Sequence, residues 1–222
     1  LGIETSLTDL PNIQRNIMFA CAKWGKRSIV ATHLLESMIN NPTPTRAEVT
    51  DIANAIYEGA DAIMLSGETS IGQYPIDCVE FLKSISYRTE KFKTLEYEKN
   101  LITKSDWEYI AVAAKNLAES IDADGIIAVT RTGSTAYYIS NAKPKGIPVF
   151  SFTNNKVTLK QLSLIGSTLS FYIPRLNDHD KTLKKVESVL KQYYDNKKNL
   201  KFIMVSGIFS EDHSEAMQII NF

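Results

Sequence analysis

Apolar residues recur at helical spacing from about Pro11 to Trp24, with Ile13, Ile17, Met18, Ala20 and Cys21 on one side. Gly25 and Lys26 then supply the stop that a helix C-terminus favours. Here the period changes. Ser28 to Ala31 is a short apolar run that predicts a buried parallel strand, and Pro42 with Pro44 makes the segment from Asn40 to Thr45 a loop. Thr45-Arg-Ala-Glu48 predicts a capping box, with Thr45 as the cap and Glu48 reaching back to its amide. The helix opened there turns Val49, Ile52, Ala53 and Ile56 inward and ends at Gly59. A second buried strand is expected over Ala62 to Leu65, then a polar turn at Ser66 to Thr69, then a helix over about Pro75 to Phe92. Residues 1–95 therefore read helix, strand, helix, strand, helix, the rhythm of βα units.

The charged stretch from Glu90 to Lys104 is the expected boundary, and beyond it the rhythm restarts. Helices are predicted over about Trp107–Ser120, Thr135–Asn141, Lys156–Leu162 and Asp180–Tyr194, with strands over Gly125–Val129, Pro148–Phe152, Thr168–Ile173, Phe202–Ser206 and Ala216–Ile220. Residues 100–222 thus predict a complete, open three-layer α/β domain of a size that folds alone. The first part looks incomplete, because a closed (β/α)8 barrel needs eight strands and roughly 250 residues. Both of its strands are apolar on both faces and so expect neighbours on both sides. The chain also begins at Leu1 rather than Met, which adds the expectation that it was processed, trimmed or cut from something longer.

Composition narrows the function classes. Lys plus Arg total 25 and Asp plus Glu total 25, so a chain of 222 residues carries no net charge and no general field to draw in nucleic acid or anionic lipid. Hydrophobic residues make up 44%, enough for a packed core. There is no run of about 18 apolar residues and no signal-peptide pattern, which predicts no membrane association. Cys21 and Cys78 lie in apolar stretches without metal or disulfide spacing, so reduced thiols and a cytoplasmic location are expected.

Three polar clusters stand just after strand C-terminal ends, where βα proteins place their chemistry. They are Thr32-His33-Leu-Leu-Glu36, Ser66-Gly67-Glu68-Thr69, and Thr130-Arg131-Thr132-Gly133-Ser134-Thr135. The third crowds hydroxyls and a glycine before a helix start, with Arg131 as a fixed cation. That combination suits a phosphate, since helix N-termini offer unpaired amides and a positive dipole end. The plainer reading is that Ser134 or Thr135 only caps the helix. Ser66 to Thr69 reads by itself as a cap and turn. His33 has no partner at metal spacing and reads as a polar residue at a strand end. Lys184-Lys185 and Lys197-Lys198 read as solvated faces.

Taken together, these segments resemble the pyruvate kinase family. Ala31-Thr32-His33-Leu34-Leu35-Glu36-Ser37-Met38-Ile39, then Pro42-Thr43-Pro44-Thr45-Arg46-Ala47-Glu48, then Asp51-Ile52-Ala53-Asn54-Ala55, is similar to that family's ATQMLESM, PTRAE and DVANA succession. Gly59 to Thr69 (GADAIMLSGET) matches a further family segment, and Leu1-Gly2-Ile3-Glu4 resembles the tail of its RGDLGVE motif, just past a metal-binding aspartate. The resemblance implies phosphoryl transfer from phosphoenolpyruvate to ADP, giving pyruvate and ATP, with Mg²⁺ and commonly K⁺. It implies the last two βα units of a TIM barrel followed by a C-terminal α/β domain. It also implies a homo-oligomer and, in regulated members, a sugar-phosphate effector.

By position, the resemblance gives Thr32 the hydroxyl placed against substrate and reacting carbon, with Gly2 also at the substrate. It gives Ser66 a place in the proton path to the enolate. Arg46 and Glu48 fall in a subunit-interface segment, and Thr130, Arg131, Thr132, Gly133, Ser134 and Thr135 in a loop that holds an effector phosphate. Departures from the family are His33 in place of Gln, Ile71 in place of a lysine near the nucleotide, and the acids Glu211 and Asp212 in a loop, Ser206 to His213, that is often glycine-rich. Those acids should repel a bisphosphate. The KIENHEG-like strand with its catalytic lysine and metal-ligand glutamate has no counterpart in these residues, so no metal ligands are expected here and the chain by itself is expected to be inactive. The alternative is a non-catalytic module that binds a phosphorylated metabolite and assists assembly.

Overall fold

The computed structural model describes residues 5–174, 179–195, 197–206 and 216–222. The chain divides into two compact units, Leu1–Ile102 and Thr103–Phe222.

In the first unit, helix α1 (Leu10–Lys23) carries a proline in its first turn, where the missing N–H is no loss. Strand β1 (Ile29–Ala31) is followed by a 3₁₀ turn (Glu36–Ile39) and by α2 (Arg46–Tyr57). The expected capping box is present at the start of α2: the Glu48 amide donates to Thr45 Oγ1 at 3.3 Å and the Thr45 amide to Glu48 Oε2 at 2.7 Å. Strand β2 (Ala62–Met64), the single-turn α3 (Gly67–Ser70) and α4 (Pro75–Thr89) complete the pattern. Helix α4 stops at Thr89 rather than Phe92, and Phe92 is exposed, so no apolar contact extends the helix into the charged stretch.

β1 and β2 pair in parallel with Ile29 opposite Ala62 and Ala31 opposite Met64. Leu34, Leu35, Met38, Ile52 and Cys78 form the buried core beside them. The expectation of burial on both sides of both strands is not met within these residues. Each strand has one hydrogen-bonded neighbour among the described residues, and Ile29 is left 65% and Met64 47% exposed.

In the second unit, α5 (Asp106–Ser120) leads to β3 (Gly125–Val129), α6 (Ser134–Asn141), β4 (Val149–Thr153), α7 (Lys156–Leu162) and β5 (Thr168–Tyr172). Helix α8 (His179–Tyr193) and strands β6 (Lys201–Ser206) and β7 (Ala216–Asn221) follow. Strand order is β5-β4-β3-β6-β7, parallel except for β7, which runs antiparallel to β6.

Every position of β3 and β4 is buried, as a central parallel strand covered on both faces requires. The period of two sorts their side chains. Ile126 and Ala128 join Ala111, Ala114, Ala136, Ile139 and Leu162 in one core, while Ile127 and Val129 join Phe150, Phe152, Val186 and Leu190 in the other. Helices α5, α6 and α7 therefore cover one face of the sheet and α8 the other. At the start of β3 a Cβ on Gly125 would come within 2.5 Å of the Phe150 ring, so the close approach of that ring requires glycine.

The lysines expected to be solvated do not all behave alike. Lys197 Nζ reaches Asp124 Oδ1 at 2.9 Å, and the Lys201 amide donates to Asp124 Oδ2 at 2.9 Å. Asp124 is partly buried and held below the usual carboxylate range: burial pushes it up, but these donors outweigh it. Lys197 is thus a tether at the base of β3, because an acid just before a buried strand needs donors.

Candidate functional site

The chain leaves β1 through two consecutive left-handed residues, Thr32 at φ 73° and His33 at φ 56°. For a β-branched residue this conformation is unfavourable by about 1–3 kcal/mol and persists only where the surroundings impose it. They do so here. The next two residues, Leu34 and Leu35, are anchored in the core, and the Leu35 amide donates to Glu68 Oε1 at 3.1 Å. Thr32 itself is exposed, and its hydroxyl donates to the Ala31 carbonyl at 2.6 Å.

His33, read from the sequence as a polar residue at a strand end, has a hydrogen-bond partner within the same loop. Its Nδ1 lies against the Glu36 carboxylate, one turn on. The hydrogen bond to Glu36, and then the Glu36 charge, raise the His33 pKa above its ordinary value.

Ser66 follows the end of the neighbouring strand. The parallel register sets Ala31 opposite Met64, so Thr32 and Ser66 emerge at the same end of adjacent strands. Ser66 occupies the N-cap position of α3, yet its hydroxyl makes no capping bond, contrary to the cap-and-turn reading. Its amide instead donates to Glu68 Oε2 at 2.7 Å. Glu68 is 2% exposed, and burial pushes its carboxyl up, but backbone N–H donors from Ser66, Glu68, Leu35 and Leu34 outweigh that and hold it below the usual range.

Arg46 and Glu48 part company. Arg46 is exposed at the start of α2. Glu48 is buried and occupied within its own unit, accepting from the Ser37 amide at 2.7 Å and the Ser37 hydroxyl at 2.6 Å as well as from Thr45. Its carboxylate braces the 3₁₀ turn against α2, which leaves Arg46 as the exposed member of the expected interface pair. Gly2, and the loop from Gly207 to His213, lie outside the described residues.

In the second unit, β3 is followed in sequence by β4 on one side but paired with β6 on the other. The crevice at such a switch point, beyond the carboxyl ends of the strands, is where open α/β sheets bind ligands. Thr130 to Thr135 begin there. Thr130 is buried, and its Oγ1 accepts from the Gly133 amide at 2.9 Å. Gly133, at φ +90°, is the N-cap of α6. Neither Ser134 nor Thr135 is the cap, contrary to the plainer reading; they are the first helical residues. The Arg131 carbonyl accepts from Thr158 Oγ1 at 3.0 Å, which fixes the loop while the Arg131 side chain stays exposed. Thr132 and Ser134 hydroxyls are 3.0 Å apart. Exposed hydroxyls, a guanidinium and helix-start amides are a donor set that suits an anion.

The sequence missed Glu68 and Glu36 as partners. The available signal was an acid two residues beyond Ser66, directly after an apolar strand, where burial forces a carboxylate to find donors.

These two arrangements can be set beside known proteins. Residues 1–79 match the family model "Pyruvate kinase, barrel domain", and residues 108–220 match "Pyruvate kinase, alpha/beta domain". The chain belongs to the pyruvate kinase family. A pyruvate kinase of Agrobacterium vitis is 36% identical over 211 residues, covering 93% of this chain and 44% of that protein. One from Thermotoga maritima is 38% identical over 197 residues, covering 85% of this chain and 41% of that protein. The crystal structure of a pyruvate kinase from Cryptosporidium parvum superimposes with a TM-score of 0.91 at 27% identity, covering 100% of this chain and 45% of that one. The chain therefore spans less than half the length of these pyruvate kinases. The barrel-domain match lies within the first unit and the α/β-domain match within the second. Thr32, Arg46, Glu48 and Ser66 fall within the barrel match, and Thr130 to Thr135 within the α/β match.

Proposed function

We propose that this chain supplies the end of the barrel and the α/β domain of a pyruvate kinase, with residues 1–95 as barrel and 100–222 as effector and assembly domain. In the reaction, the phosphoryl group leaves the enol oxygen of phosphoenolpyruvate for ADP, and the enolate then takes a proton at carbon to become pyruvate. Thr32 would lie against the substrate with Gly2, and the Ser66 hydroxyl in the path of that proton. The observation that carries this reading is the common emergence of Thr32 and Ser66 from adjacent parallel strands, inside the barrel match.

Family members use Mg²⁺ and K⁺, which stabilise the charge on the transferring group. Among the described residues, no group of three or more His, Cys, Asp or Glu could hold a metal ion. With those ligands and the catalytic lysine supplied elsewhere, the 222-residue polypeptide should give no pyruvate in a lactate-dehydrogenase-coupled assay. Turnover by the pure chain would refute this.

A second reading concerns the switch-point loop: Thr130, Arg131, Thr132, Gly133, Ser134 and Thr135 hold the phosphate of a sugar-phosphate effector. The open donor set at Arg131, Thr132 and Ser134 favours it. Calorimetric titration of the chain with a sugar monophosphate tests it, and binding unchanged by Arg131→Ala would overturn it. No described helix is long and apolar enough to cross a membrane, and a cytoplasmic setting fits the free thiols. Homo-oligomerisation, with Arg46 at a subunit contact, is expected and is read by native mass spectrometry.

A further inference from the structure

Glu68 is a buried acid that no step of the proposed reaction uses. Its two oxygens face two different loops. Oε1 accepts from the Leu35 amide at 3.1 Å, three residues beyond Thr32, and Oε2 accepts from the Ser66 amide at 2.7 Å. Leu34 and Leu35 are sunk in the core, and the left-handed pair Thr32 and His33 links them to β1.

We propose that Glu68 is a positioning residue: one carboxylate clasps the backbones of both loops and so fixes how the Thr32 and Ser66 hydroxyls stand to each other. The proposal rests on the kinase reading for the roles of those hydroxyls, but the clasp itself does not. A carboxylate is suited to it because both oxygens accept, whereas an amide side chain has a single acceptor oxygen and would set its own N–H against one of the two donors. Gly72 belongs to the same arrangement: a Cβ there would come within 2.4 Å of the Glu68 carbonyl oxygen, so the turn after α3 closes tightly over the Glu68 backbone. The Glu68 charge raises the pKa of both His33 and Cys78, though for neither is it the largest cause.

The variant-free test follows the Leu35 and Ser66 amide resonances of the 222-residue chain as pH falls. Both should shift with one shared midpoint below the ordinary glutamate range; separate midpoints, or no shift at either amide, would overturn the proposal. Native-state hydrogen exchange on Glu68→Gln should show at least one of the two amides exchanging at least about tenfold faster, with the Gly133 amide unchanged. Wild-type protection at both would overturn it. In the complete enzyme, Glu68→Gln should lower kcat about tenfold or more with KM for phosphoenolpyruvate changed less than about threefold, because misplacing reacting groups by an ångström is enough for such a loss. An unchanged kcat in the folded variant contradicts the proposal. A complete wild-type enzyme without turnover would instead refute the kinase reading, and the amide titration would still decide the clasp.

Discussion

Gly133→Ala separates two costs that usually come mixed. Gly133 sits at φ +90°, and a Cβ there would meet Thr158 Cγ2 at 3.2 Å and Leu162 Cδ2 at 3.3 Å. The left-handed conformation disfavours an L side chain by roughly 1–2 kcal/mol. Forcing a methyl against packed neighbours adds about 1–2 kcal/mol, at the low end of overpacking. The variant should therefore lose about 2–4 kcal/mol. Gly146→Ala is the control, since Gly146 lies at φ +67° with nothing within 4 Å of the added Cβ. It should lose only the conformational part, about 1–2 kcal/mol.

For a unit of this size each kcal/mol lowers the midpoint by about 4 °C, so Gly133→Ala should melt roughly 8–16 °C lower. The two tryptophans, Trp24 and Trp107, fall one in each unit, so Trp107 fluorescence in a Trp24→Phe background follows the second unit alone. Urea unfolding gives the same difference without heat. Equal losses in the two variants would show that Thr158 and Leu162 yield freely and would refute the packing part. No loss in either would refute the conformational part as well.

Glu48→Ala removes the reciprocal half of the α2 capping box and strands the Ser37 and Thr45 amides, so Trp24-monitored unfolding should show a loss of about 2–4 kcal/mol. Burial raises the Glu48 pKa, but its donors from Ser37 and Thr45 outweigh that and lower it. The stability it contributes is therefore present above the ordinary glutamate pKa of about 4.3 and lost as pH falls through the native value; a flat acid limb in unfolding midpoints would contradict this. Tyr194 donates to the Asp124 carbonyl and is pushed up to about 12, chiefly by burial. Its contribution is intact below the unfolded value near 10 and lost as pH rises through about 12, so the difference between the absorbance titrations of wild type and Tyr194→Phe should show one phenol ionising near 12; a difference centred near 10 would contradict its burial. Cys78 is buried and its thiol raised, first by burial and then by Glu68 and Asp77, so a thiol reagent should label it only as the first unit unfolds, whereas Cys21 labels in the native chain. Rapid native labelling of Cys78 would contradict its burial.

Much of this protein is legible in its sequence because local physics sets it. The change of apolar spacing from helical to continuous placed nearly every element within a residue or two, since period and burial are the same constraint seen twice. The capping box at Thr45 and Glu48 was readable because both partners lie within one turn. The family segments were readable because they are contiguous.

What the sequence could not show depends on residues far apart in the chain. Glu68 joins Leu35 to Ser66 only after β1 and β2 pair, and Asp124 meets Lys197 and Lys201 only after β6 docks beside β3. The left-handed backbone at Thr32 and His33 is likewise imposed, not chosen: neither residue prefers it, and the buried leucines that follow hold it in place. Local preference wrote the elements. Tertiary pairing decided which loops share a carboxylate, because a buried carboxylate must take its donors from whatever backbone the fold brings to it.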